Sequence, residues 1–159
     1  MSEKDIAKYP NFHKYVSTGL PLVSDSETKI TAILDFATLT KGNNPLDENA
    51  IKAALSWGNA PMIKVANILS YGKYVPRRNP NVINIRKKWV KEFEEGGGKR
   101  YTKWGEKVDL VEVILLHELT HWADLQDGKM NGDKEIEMGN EFEKAIYGHL
   151  ITHRSTIPA

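Results

Sequence analysis

The stretch from Val108 to Asp127 constrains the fold more than any other part of the chain. Leu110, Val111, Val113, Ile114, Leu115, Leu116, Leu119, Trp122, Ala123 and Leu125 cover nearly the whole circumference of a helix. A helix that is apolar on every side cannot lie on a surface, so it must be the centre on which the other elements pack. Within it stands His117-Glu118-Leu119-Thr120-His121. Residues four apart on a helix lie one above the other, so both imidazoles project from one face and can grip a single metal ion. Two neutral imidazoles inside so apolar a helix need a partner, and a metal supplies one. Glu118 lies about 100° around the helix, beside the pair, where it can serve as a general base without being a ligand.

A hydrolytic zinc site takes three protein ligands and leaves a fourth position open. The chain has no cysteine, which leaves His, Asp and Glu as the strong ligands, and the downstream carboxylate candidates for the third are Asp124, Asp127, Glu135, Glu137, Glu141 and Glu143. On a last helix expected from about Lys134 to Thr152, Ile136, Gly139, Glu143, Ile146, Tyr147 and Leu150 form one stripe, with Glu143 its only charge. Glu137, Glu141, Lys144 and Gly148 form a separate polar stripe that reads as solvent-facing. A carboxylate on an apolar face is costly unless it is paired or bound to metal, which favours Glu143 over Glu141. Asp127 falls six residues after His121, a spacing that requires a glycine-permitted turn where this chain has Asp124. Asp124 itself suits an acceptor that orients a ligand histidine. Tyr147, one turn after Glu143, is a candidate donor to the oxyanion. His149 and His153 repeat the four-residue spacing without an intervening glutamate and read as a solvated end.

The remaining features mainly exclude. The formal net charge is +1, which gives no global attraction to nucleic acid or to an anionic membrane. Basic residues do gather between Arg77 and Lys107, but Glu92, Glu94, Glu95 and Glu106 interleave with them, as on a solvated face. No run of eighteen apolar residues could span a membrane, and Met1–Asp5 lacks the apolar region of a signal peptide. Export would therefore use a route other than an N-terminal signal.

Residues 1–24 contain Pro10, Gly19 and Pro21 and suggest an extended arm with little core, preceding one domain over residues 25–159. A helix is expected from Ser26 to Leu39, then a break at Lys41–Pro45. A second helix capped by Asn44 should follow to Trp57, and a third, opened by Asn59-Ala60-Pro61, should run through Leu69. Val82–Ile85 has strand composition. Lys88–Glu95 suits a strand or a short helix, and Tyr101–Trp104 could pair back across Gly96–Gly98 as a hairpin. Gly128 and a polar turn over Lys129–Asp133 should close the central helix. The expected class is α+β: a helix-rich domain with a small sheet packed on the histidine-bearing helix. Such a site would hydrolyse peptide bonds: zinc polarises water and the scissile carbonyl, while Glu118 takes the water's proton and delivers it to the leaving amine. Val82–Ile85, as an edge strand, would hold the substrate backbone by strand addition.

The segment His117-Glu118-Leu119-Thr120-His121-Trp122-Ala123-Asp124-Leu125-Gln126-Asp127-Gly128, followed by Gly139-Asn140-Glu141-Phe142-Glu143-Lys144-Ala145-Ile146-Tyr147-Gly148, resembles the metallopeptidase toxin 3 family. These are zincin domains of bacterial polymorphic toxins and secreted effectors. The resemblance implies zinc on His117, His121 and Glu143 and catalysis by Glu118. It also implies export by a specialised secretion system, action in a target cell on a protein or peptide substrate, and a cognate immunity protein. Two competing functions share the same residues: a peptidoglycan amidase or peptidase, and a non-catalytic domain with a structural metal. Glu118 argues against the second, since a structural site has no use for a general base.

Overall fold

The computed structural model describes residues 1–37, 46–127 and 137–152. The expected break at Lys41–Pro45, the Asn44 cap, the Gly128 stop, the Lys129–Asp133 turn, Glu135 and His153 lie outside them. The architecture is helix-rich α+β, as the sequence implied, with seven α-helices and two small sheets among the described residues.

Residues 1–24 are not an extended arm. Helices α1 (Glu3–Lys8) and α2 (Pro10–Lys14) continue through a π-turn at Tyr15–Gly19 and a 3-10 turn at Leu20–Asp25. Pro10 occupies the first turn of α2, where its missing N–H costs nothing. The adjacent Asn11 and Phe12 amides donate to the Glu94 carboxylate, each at 2.9 Å. That long-range cap pins the segment, and Tyr9, Phe12, Val16, Leu20 and Val23 become part of the common core. Helix α3 (Glu27–Ala37) follows the expected periodicity. Helix α4 (Glu48–Leu55) is capped by Asp47, whose side chain accepts from the Ala50 amide at 2.9 Å.

The segment after Pro61 is a strand where a helix was expected. Strand β1 (Met62–Ala66) buries Ile63 and exposes Met62 and Lys64, a period of two. It runs parallel to β3 (Val82–Arg86), with Ile63 opposite Ile83 and Val65 opposite Ile85. This register puts the branched side chains on one face, toward the core. The short β2 (Gly72–Lys73) pairs antiparallel to the other side of β3, giving the order β1-β3-β2. Val82–Ile85 is thus the central strand of its sheet, and β1 and β2 are its two edges. Lys87–Glu94 is a helix, α5. Strand β4 (Lys99–Tyr101) pairs with β5 (Lys107–Asp109) rather than back across the glycines. The buried Thr102 hydroxyl ties that turn by accepting from the Trp104 and Glu106 amides.

Helix α6 (Leu110–Asp124) is the axis of the molecule, as its composition required. Helices α3, α5 and α7 (Met138–Tyr147) and strands β2 and β3 pack around it. Val113, Leu116 and Ala123 have no solvent exposure.

Candidate metal centre

Two elements bring three side chains together at the C-terminal half of α6. His117 and His121 project from one face, with ring centroids 5.2 Å apart. The third group is Glu137, one residue before α7. Its Oε1 lies 2.5 Å from His121 Nε2 and its Oε2 3.1 Å from His117 Nε2. One ligand atom from each of the three falls within 4.8 Å of the others. Two imidazole nitrogens and a carboxylate oxygen form a donor set suited to zinc.

Glu137 also caps α7: its backbone is extended (φ −95°, ψ 110°), and its Oε1 accepts from the Gly139 amide at 2.7 Å. A Cβ at Gly139 would collide with the His117 ring. The small residue lets the start of α7 close over the histidine and deliver Glu137 to both imidazoles.

Glu143 is placed differently from the ligand position expected of it. Its side chain is completely buried, and one oxygen lies 2.5 Å from His117 Nδ1, the ring nitrogen away from Glu137. The same oxygen accepts from the Thr152 hydroxyl, and the other accepts from the Ile151 and Thr152 amides at 2.8 Å. A carboxylate satisfied in this way fixes the His117 ring, and with Nδ1–H as its donor it leaves Nε2 facing the centre.

Tyr147 is not brought to the histidines. Its hydroxyl donates to Glu112 Oε2 at 3.4 Å, and Lys29 approaches the same oxygen at 3.1 Å. Burial first, then Glu112, holds its phenol well above the usual range. Glu141 is partly exposed, where Lys144 pairs with it. Asp124 is buried in the last turn of α6. Asp127 ends the 3-10 turn after that helix. The His149 ring contacts the Tyr101 carbonyl through Nε2 at 2.9 Å, outside the cluster.

Glu118 is 6% exposed and its Oε1 lies 4.0 Å from His117 Nε2. Burial raises its carboxyl pKa, while the neighbouring histidines pull the other way. For His117 burial works against the charged ring, yet hydrogen bonds to Glu137 and Glu143 prevail and lift its pKa to about 10. Glu137 shows the complement: burial opposes its charge, but the two histidines hold it far below the ordinary carboxylate range. A cavity of about 180 Å³ opens onto His117, Glu118 and Glu137, with Tyr71, Gly72 and Thr152 on its rim. Gly72 of β2 passes so close to Glu118 and Ile114 that a Cβ there would clash with Ile114.

The sequence offers Glu137 as one candidate among six, but a last helix expected to begin at about Lys134 sets it aside. Helical periodicity then assigned Glu137 to a solvent-facing stripe. At a cap the backbone is not helical, so that stripe does not apply. The available signal was a carboxylate two residues before a glycine, at the start of an apolar helical face.

The family model described as metallopeptidase toxin 3 matches residues 5–148. No curated protein and no solved structure matches the chain.

Proposed function

The chain belongs to the metallopeptidase toxin 3 family, and from that premise we propose that it is a zinc-dependent endopeptidase whose metal is held by His117, His121 and Glu137. The observation that carries this reading is the convergence of both Nε2 atoms on one carboxylate, beside the buried Glu118. Zinc bound there would supply a Lewis acid that lowers the pKa of water and polarises the scissile carbonyl.

The chain's own residues do the rest. Glu118 takes a proton from the attacking water and passes it to the leaving amine as the C–N bond breaks. Its burial favours the neutral carboxyl, which brings its basicity closer to that of a working acid–base group. Glu143 holds His117 in the tautomer that presents Nε2. Strand β2, at an edge of its sheet, offers its backbone to an extended substrate, and Gly72 lets that strand lie close against Glu118 and Ile114. Tyr147 has no part in this chemistry.

The biological reading is a toxin exported by a specialised secretion system, acting on a protein of the target cell and restrained in the producer by an immunity protein. Among the described residues no helix is long and apolar enough to cross a membrane. The test compares wild type with Glu118→Gln. Both should hold about one zinc ion, and only the wild type should cleave protein and arrest growth when expressed in the bacterial cytoplasm or periplasm. Equal growth arrest by the two proteins would refute a catalytic function.

A further inference from the structure

The 180 Å³ cavity at the histidines does not end at its rim. Tyr71 and Thr152 also line a neighbouring groove of about 600 Å³ that passes along Asn67–Ser70 and Lys73. Asn67 in turn borders a third depression, of about 390 Å³, at the start of α5. Four cations, Arg86, Lys87, Lys88 and Lys91, face this last chamber against two carboxylates, Glu92 and Glu95. Lys73 adds a further positive charge in the middle of the path.

Neither carboxylate is close enough to pair with them. Among the described residues the ion pairs involve other lysines and histidines, and none of Lys73, Arg86, Lys87, Lys88 or Lys91 has a carboxylate within 4.0 Å. Some are also held in place. Lys88 Nζ sits 4.9 Å and the Arg86 guanidinium 5.9 Å from the centre of the Trp89 ring. Trp89 stacks on Tyr71, with ring centroids 5.0 Å apart and planes within 10°. Arg86 further donates to the Leu69 carbonyl on the groove wall at 3.4 Å. The first turn of α5 carries lysines where acidic residues would stabilise the helix dipole, so the positive potential is reinforced rather than offset.

The backbone sets the distance. The Arg86 amide pairs with the Tyr71 carbonyl, one residue along from Gly72, which lies over Glu118. The backbone of Arg86, the first of these cations, therefore lies on the order of 10 Å from Glu118, about three residues of extended peptide, and the lysines of α5 follow it. We propose that this groove is the substrate's distal subsite, and that it selects peptides bearing acidic side chains about three residues to one side of the scissile bond. The proposal rests on the peptidase reading for its meaning, but the binding it asserts can be measured without turnover.

The experiment uses zinc-loaded Glu118→Gln protein and fluorescent decapeptides that differ only by three glutamates or three glutamines at one end. Anisotropy should show at least about tenfold tighter binding of the acidic peptide at low salt, shrinking severalfold as salt screens the charges. The preference should belong to one end of the peptide only. Replacing the three lysines together (K87Q, K88Q and K91Q) should bring the ratio near one, and the salt series on the unreplaced chain reads the same effect with no risk to folding. Equal affinity for both peptides, or a preference that survives the lysine replacements, overturns the proposal. Displacement of the acidic peptide by a short single-stranded oligonucleotide of equal charge at much lower concentration would instead assign the groove to nucleic acid. The wild-type enzyme with the same peptides separates the two ideas. Acid-selective binding without any cleavage would leave the groove assignment standing and remove the peptidase reading; cleavage blind to the glutamates would do the reverse.

Discussion

Replacing Glu143 by glutamine tests the division of labour at the centre most sharply. The buried carboxylate accepts from His117 Nδ1, the Thr152 hydroxyl and the Ile151 and Thr152 amides. The two backbone amides cannot turn round, so the glutamine carbonyl must face them. Its NH2 then points at His117 Nδ1 and the Thr152 hydroxyl. The hydroxyl can rotate to accept, but His117 can accept at Nδ1 only by moving its proton to Nε2, where the lone pair for the metal should be. The expected result is a folded protein that binds zinc about 10- to 100-fold more weakly, or about 1.4 to 2.7 kcal/mol. Loss of charge-assisted hydrogen bonds should also lower stability by about 1.5–3 kcal/mol. Competition against a chelating dye measures the affinity, and thermal melting establishes that the variant is folded at the assay temperature. Glu137→Ala should lose more affinity than Glu143→Gln, because it removes a donor atom itself. The reverse order, with Glu143→Gln abolishing binding and Glu137→Ala retaining it, would make Glu143 the ligand and refute this account.

Metal affinity should depend on pH through His117. Its pKa in the metal-free chain is about 10, so the ring is charged at neutral pH and must lose a proton before Nε2 can bind. Apparent affinity should therefore rise about tenfold per pH unit from 7 toward 10, with about one proton released per metal. Calorimetry in buffers of different ionisation enthalpy counts that proton, and a count of zero would mean that the ring is already neutral. The raised pKa also contributes stability to the metal-free fold, fully present below the ordinary histidine pKa and lost as pH climbs through about 10; chemical denaturation at pH 8 and pH 11 should show the loss. Tyr147→Phe should leave kcat within about twofold of wild type while costing about 1 kcal/mol, because its hydroxyl bonds Glu112 rather than the centre. A drop of a hundredfold or more in kcat with unchanged stability would place Tyr147 in the reaction after all.

The sequence alone determined the features that depend on local spacing and composition. The all-round apolarity of α6 required it to be the axis, and the four-residue interval placed two imidazoles on one face with Glu118 beside them. The stripe that singled out Glu143 correctly identified a buried carboxylate that needs partners. What periodicity could not supply was where each helix begins, and that decides which carboxylate faces Nε2 and which faces Nδ1. The answer depends on α7 starting at Met138 and on Gly139 admitting the His117 ring, both consequences of how α7 packs on α6. Tertiary structure also decided that residues 1–24 join the core, since the groups that cap α2 lie about eighty residues away, on Glu94. It likewise made β2, two residues long and unreadable from composition, the strand beside the centre. Local pattern reports which side chains must be buried or paired; only packing between distant segments chooses their partners.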